Sequence, residues 1–252
     1  PEDTDGEPTK LMIFAAASMT ETLTEIGEIY MEENEAVSLS FNFDSSGTLK
    51  TQIEEGALCD VFISAGQKQM DGLDVAAGSE KNPDRLDHVL QDSRIDLLEN
   101  KVVLAVPDDD PADIHTFQDM KNALENGNVL LSMGNADVPV GQYAQKILTW
   151  LELDEAALAA AGTITYGSNV KEIVTHIHES VVDCGIVYAT DATAANLTVA
   201  DTATAEMCGR VVYPAAVMNT SSNKDAALAF LDFLRSEAAS AVFRSAGFTP
   251  IL

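Results

Sequence analysis

Positive charge is scarce in this chain: 14 Lys and Arg stand against 41 Asp and Glu over 252 residues, a formal net charge of −27. So acidic a protein has no basic footprint for a phosphate backbone, which excludes nucleic-acid binding as its main function. Should its ligand be an anion, long-range attraction opposes capture, and salt screens that repulsion only beyond about 8–10 Å. Recognition must then be local. Cysteine is also scarce: Cys59, Cys184 and Cys208 form no Cys-x-x-Cys pair and have no histidine at metal-ligand spacing, so a structural zinc is not expected. A Cys184–Cys208 disulfide stays open, although Cys59 and Cys184 abut apolar strand-like runs, which favours buried thiols. No run approaches the roughly 18 consecutive apolar residues of a membrane span. There is no Gly-x-Ser-x-Gly, no phosphate-binding loop with Lys-Ser/Thr and no dinucleotide fingerprint. The chain is read as a non-enzyme that needs no cofactor.

What is present is alternation. Apolar strand-like runs at 11–14, 37–43, 61–63, 102–106, 129–133, 164–166, 185–188 and 211–218 take turns with helical patterns, the signature of an α/β protein. Val37, Leu39, Phe41 and Phe43 alternate with polar residues, as a half-buried strand does. Met19, Leu23, Ile26 and Tyr30 fall on one helix face, as do Val140, Tyr143, Ile147 and Leu151, and Val170, Ile173, Ile177 and Val181. Ala227, Phe230, Leu231 and Leu234 begin a C-terminal helical region that continues toward Val242. There is no repeat or long linker, so any two lobes must be joined by short crossings. Residues 1–9 are acidic and carry Pro and Gly; they are expected to be disordered, either as a tether left by a processed leader or as an ordinary frayed terminus.

Four strand-to-helix junctions share one design, in which small or hydroxyl residues sit between the end of a strand and the start of a helix: 15–21, 44–49, 138–143 and 167–172. A helix start presents unpaired N–H groups and the positive end of the helix dipole, so it can hold an anion. Ser18 with Glu21 has the capping-box pattern, Asn169 with Glu172 is a near variant, and Pro139 suits a first helical turn. Taken singly, each is what any α/β protein needs to cap its helices.

Taken in order with their neighbours, they carry a resemblance. Phe14-Ala15-Ala16-Ala17-Ser18-Met19-Thr20, Phe43-Asp44-Ser45-Ser46-Gly47-Thr48-Leu49, Asp60-Val61-Phe62-Ile63-Ser64-Ala65 and Val138-Pro139-Val140-Gly141-Gln142-Tyr143-Ala144 are followed by 185–191, 213–217 and 247–249. Over 10–252 the chain resembles the molybdate-binding proteins of bacterial ABC importers. The resemblance implies a two-lobed periplasmic-binding-protein-like fold, each lobe a mixed, mostly parallel sheet flanked by helices. Lobe 1 would be 10–98 with 215–252 and lobe 2 would be 99–214, with the ligand cleft between them. It implies that molybdate or tungstate is held by neutral donors only: Ser18 and Ser46 through hydroxyl and backbone N–H, Val140 and Val170 through backbone N–H, and Tyr188 through its hydroxyl. It implies a monomer serving the membrane permease of an ABC importer, either periplasmic or lipid-anchored outside the cytoplasmic membrane. Sulfate, another oxyanion, a small carboxylate or a sensory ligand-binding role remain the alternatives. Gly47 stands where that family often has a hydroxyl residue and Val140 where a smaller one is usual, while Asp44 and Asp137 put carboxylates beside two of the loops.

Three other features are read as structural. His176 and His178, two apart on a helix, are expected at the surface rather than as ligands. Asp108, Asp109, Asp110 and Asp113 lack the Gly and terminal Glu of a calcium loop and read as a solvated turn. Trp150 is expected in the core.

Overall fold

The computed structural model describes residues 7–251. In chain order the elements are β1 (Thr9–Ala16), α1 (Thr20–Glu33), β2 (Val37–Asp44), α2 (Ser46–Glu54), β3 (Val61–Ile63), α3 (Gln67–Asp71), β4 (Ile95–Asn100), β5 (Val102–Val106), α4 (Phe117–Glu125), β6 (Leu131–Gly134), α5 (Pro139–Trp150), α6 (Glu155–Ala160), β7 (Ile164–Gly167), α7 (Val170–His178), β8 (Cys184–Tyr188), α8 (Ala189–Ala194), β9 (Thr198–Thr202), α9 (Ala205–Cys208), β10 (Val211–Val217), α10 (Lys224–Phe233), α11 (Glu237–Ser245) and β11 (Thr249–Pro250).

The strands form two sheets, ordered β11-β4-β10-β3-β1-β2 and β7-β6-β8-β5-β9. The chain passes from the first to the second between Asn100 and Val102, and β10 brings it back. Both sheets are mixed, but they are less parallel than the resemblance implied. Only β1 with β2 and β3, and β6 with β7 and β8, pair in parallel. The strands nearest the crossings run antiparallel to their neighbours: β10 beside β3 and β4, β11 beside β4, and β5 beside β8 and β9. A strand that enters a sheet from the other unit needs no helical crossover, so it is free to pair antiparallel.

The central strands β3, β5, β8 and β10 are buried at every position, which is what sheets covered on both faces require. Tyr30 on α1 packs edge-on against Phe230 and tilted against Phe233, fixing the C-terminal helices to the first unit. That C-terminal region is two helices, because Ser236 caps a new one by accepting from the Ala239 N–H. Cys59, Cys184 and Cys208 are buried free thiols, and Cys184 and Cys208 are not bridged.

Several sequence expectations need correction. Of the tail expected over 1–9, the first six residues lie outside the described residues, while Thr9 is already in β1, paired with Val37. Trp150, the last residue of α5, is 51% exposed rather than in the core. Val181 lies beyond the end of α7 and is exposed, and Val174 covers the core in its place. His176 is half-buried, with Nδ1 2.9 Å from the Ser132 hydroxyl; His178 is exposed as expected. Asp110 and Asp113 do sit on an exposed turn, but His115 joins them, a neighbour the sequence reading left out.

Candidate functional site

The four junctions meet. A small cavity of about 10 Å³ lies between the two sheets, lined by Ala16, Ala17, Ser18, Ser45, Ser46, Ala65, Val138, Pro139, Val140, Val170 and Tyr188. All five residues singled out in the sequence, Ser18, Ser46, Val140, Val170 and Tyr188, are therefore brought together, and every lining residue is buried. No charged side chain is among them.

Each junction places its residue for a local reason. Ser46 opens α2, behind Ser45, whose hydroxyl accepts from the Thr48 N–H as an N-cap. Val140 follows Pro139 in the first turn of α5, and Val170 opens α7 behind Asn169, which accepts from the Glu172 N–H. N–H groups in a first turn have no carbonyl one turn back to bond, so these three helices point unspent donors and positive dipole ends at one cavity. Tyr188 ends β8, its ring wedged edge-on between Tyr143 and Tyr213. Burial pushes the Tyr188 and Tyr213 phenols well above their ordinary range, so both keep their protons at neutral pH.

Ser18 differs from expectation. It lies within a short 3-10 turn, Ala17–Met19, and α1 is capped by Met19 without a side-chain bond, so Ser18 and Glu21 form no capping box. The Ser18 hydroxyl instead meets the Tyr213 hydroxyl at 3.0 Å. Glu21 reaches across to Lys171 of α7, whose ammonium lies 3.0 and 2.9 Å from the two carboxylate oxygens and 3.3 Å from buried Asp191. Burial pushes the Asp191 carboxyl up to about 6, although Lys171 pulls the other way.

Both flanking aspartates keep their carboxylates out of the lining. Asp44 accepts the Ser45 N–H at 2.6 Å, and Asp137 is exposed. The backbone of Asp137 matters more, because its carbonyl oxygen lies 2.2 Å from where a Cβ on Gly47 would stand. Gly47 is therefore where α2 and the loop before α5 come into contact. Further contacts join the two units: Tyr188 donates to the Ala65 carbonyl at a long 3.3 Å, and Gln69 donates to the Asp137 carbonyl at 3.5 Å. Sequence reasoning missed Ser45 and Ala65 as lining residues, although both lie inside the quoted motifs. It also gave no role to Tyr213 or Asn100. Asn100 carried only a weak signal, an amide beside Lys101 just before the apolar run Val102–Val106 where the chain changes sheets.

The family described as bacterial extracellular solute-binding protein matches residues 11–249 of the chain. The chain belongs to that family. It is a family of transport proteins that bind solutes, not a class of enzymes. The chain is 34% identical over 247 residues to the molybdate-binding protein ModA of Haemophilus influenzae, covering 95% of this chain and 90% of that one. It is 31% identical over 248 residues to the putative ABC transporter substrate-binding lipoprotein YvgL of Bacillus subtilis, covering 98% and 89%. Among solved structures, the substrate-binding domain of a putative molybdenum ABC transporter from Clostridium difficile superposes with a TM-score of 0.69 at 32% identity, covering 97% of this chain and all of that one. For this solute-binding protein the described residues contain no helix long and apolar enough to cross a membrane.

Proposed function

We propose that this solute-binding protein captures molybdate or tungstate and delivers it to the membrane permease of an ABC importer, working as a monomer outside the cytoplasmic membrane, either free in the periplasm or lipid-anchored. One observation carries the reading: three helix starts and a 3-10 turn, drawn from both sheets, line a single buried cavity that holds hydroxyls and backbone N–H groups but no charged side chain. That donor set suits a small ion whose whole surface accepts hydrogen bonds. Ser18 and Ser46 would each give a hydroxyl and an N–H, Val140 and Val170 an N–H each, and Tyr188 its hydroxyl, turned from the Ala65 carbonyl to the ion. The named relatives favour molybdate as cargo.

The magnitudes are sufficient. Hydrogen bonds to a charged group contribute roughly 1.5–3 kcal/mol each, so about seven give on the order of 10–20 kcal/mol before desolvation and closure are subtracted. Sub-micromolar binding needs only about 8–9 kcal/mol net. A site of donors cannot satisfy the proton of hydrogen phosphate, and leaving a buried donor unpaired costs about 1–3 kcal/mol. Sulfate carries no proton and has to be rejected by size.

In mechanism, the lobes part to admit the ion and close by a hinge motion, and the permease reads the closed state. The lobes correspond to 10–98 with 215–252 and to 99–214, though sheet membership favours joints at Lys101 and just before β10. Melting with molybdate, tungstate, sulfate and phosphate tests the cargo. A tight ligand at 1,000 times its dissociation constant adds about 4 kcal/mol of stability. A shift with sulfate and none with molybdate or tungstate would replace the cargo.

A further inference from the structure

Behind Ser18 runs a chain of buried polar groups that leads away from the cavity to the crossing between the sheets. Asn100 is the last residue of β4, and its side-chain orientation is fixed because Oδ1 accepts the Lys101 N–H at 2.8 Å. The amide nitrogen is thereby turned to the Thr190 hydroxyl at 2.9 Å and the Tyr213 hydroxyl at 3.1 Å. An amide nitrogen carries two hydrogens and cannot accept, so one goes to each oxygen. The Tyr213 hydroxyl is thus an acceptor on the Asn100 side. Its own proton then has two oxygens within reach, that of Ser18 at 3.0 Å and that of Tyr188, which shares a hydrogen bond with Tyr213.

With that proton directed to Ser18, the Ser18 hydroxyl accepts from Tyr213, and among the described residues no other group bonds it. Its proton is left for the cavity it lines. Ser46 reaches the same state by another route: its hydroxyl accepts the Ala65 N–H at 2.9 Å, leaving its proton unspent. Asn100, Tyr213 and Ser18 are all buried, so bulk water does not compete to reorient the chain. The raised ionisation range of Tyr213 keeps its proton in place over physiological pH.

We infer that Asn100 is a positioning residue which, through Tyr213, holds Ser18 as a hydrogen-bond donor toward the ligand and so sets the preference for oxyanions that carry no proton. This deepens the binding reading above and rests on it. Two variants act on the chain differently. Asn100→Asp offers Tyr213 an acceptor in place of a donor; Tyr213 then donates backward and accepts from Ser18, whose lone pair turns to the cavity. Tyr213→Phe leaves the Ser18 hydroxyl free to turn either way. In both, Ser18 becomes able to accept the proton of hydrogen phosphate.

The test titrates the full chain with molybdate at pH 8 by calorimetry and then displaces it with inorganic phosphate, for wild type and both variants, with folding checked by circular dichroism. The expected result is that preference for molybdate over phosphate narrows by roughly tenfold or more in each variant that folds. A merely structural role would weaken both anions by a common factor, and an unchanged ratio in Tyr213→Phe overturns the inference whether or not Asn100→Asp folds. Wild type that captures no oxyanion removes the cargo reading and this inference together. Wild-type molybdate binding with unchanged variant ratios removes the inference alone.

Discussion

Replacing Gly47 with alanine should separate stability from binding. A Cβ at position 47 would stand 2.2 Å from the Asp137 carbonyl oxygen, where ordinary contact begins at 3.4 Å. The two backbones would have to part by 3.4 − 2.2 = 1.2 Å, and no rotamer relieves it because both atoms are fixed to main chain. Asp137 precedes α5, which belongs with the second sheet, so the clash is felt only when the units are closed on each other. Within α2 itself the change is favourable, since alanine is about 0.5–1 kcal/mol better than glycine in a helix. The free variant is therefore expected to melt at or above the wild-type temperature. Binding suffers instead: a donor at about 2.9 Å moved back by that gap is no longer bonded. Losing one or two bonds to a charged ligand costs about 2–5 kcal/mol, or roughly thirtyfold to several-thousandfold in affinity. Melting without ligand and calorimetry with molybdate read the two effects. Gly141→Ala is the contrast, because its Cβ would meet the Gly134 and Asn135 carbonyls at 2.3 Å within the same unit and should destabilise the protein with or without ligand. A Gly47→Ala protein that binds molybdate as tightly as wild type would refute the reasoning, as would one that melts as early as Gly141→Ala.

The other expectations concern single groups. Ser18→Ala and Tyr188→Phe are each expected to weaken molybdate binding by about 1–3 kcal/mol while leaving the far-ultraviolet spectrum unchanged; unchanged affinity in both would discard the site assignment. Asp191 titrates near 6 in the folded chain against 3.8 for a free side chain, so the folded state holds its proton more tightly. Its contribution is present below about pH 4 and is lost as pH rises to about 6, on the order of 3 kcal/mol. Glu172 works in the opposite sense, because its bonds from Ser168 hold it below the usual range. The difference between wild type and Asp191→Asn in denaturant titrations from pH 4 to 6.5 isolates the Asp191 part, and parallel curves would refute it.

The loops that meet at the cavity were legible in the sequence because helix starts leave marks, Ser45 before α2, Pro139 at the head of α5 and Asn169 before α7, while the choice of binding residues among them came from the family resemblance. The buried strands β3, β5 and β8 were legible for a similar reason, since burial on both faces demands an unbroken apolar run. By contrast, β9 has one neighbour, β5, and is mostly exposed, so its Thr-Val-Ala-Asp-Thr stretch carries no strong pattern. In β4 the apolar residues are broken by Asp96 and Glu99, and no strand was read there. Ser18 was named through the resemblance, and its local pattern misled. Its motif looked like a cap, and only the long-range approach of Tyr213, 195 residues away, shows what its hydroxyl meets.

On the proposed reading, a chain of net charge −27 that holds a doubly negative ion has to manage its own carboxylates. At an effective dielectric of about 20, one unneutralised carboxylate about 8 Å from a dianion repels it by roughly 4 kcal/mol, near half of what sub-micromolar binding requires. The acids around this cavity are engaged in a way that fits that limit. The Asp44 carboxylate takes the Ser45 N–H, and Asp137 turns its backbone to α2 while its side chain stays in solvent. Asp191 lies close enough to raise the Tyr188 and Tyr213 phenols, and it is the one acid buried there. Lys171 sits against it at 3.3 Å. Lys171 does not line the cavity, so it supplies no direct ligand bond; its effect is to cancel a charge the anion would otherwise feel. A site of neutral donors thus depends on a compensated surround, and the cation that matters most to it is one that never touches the ligand.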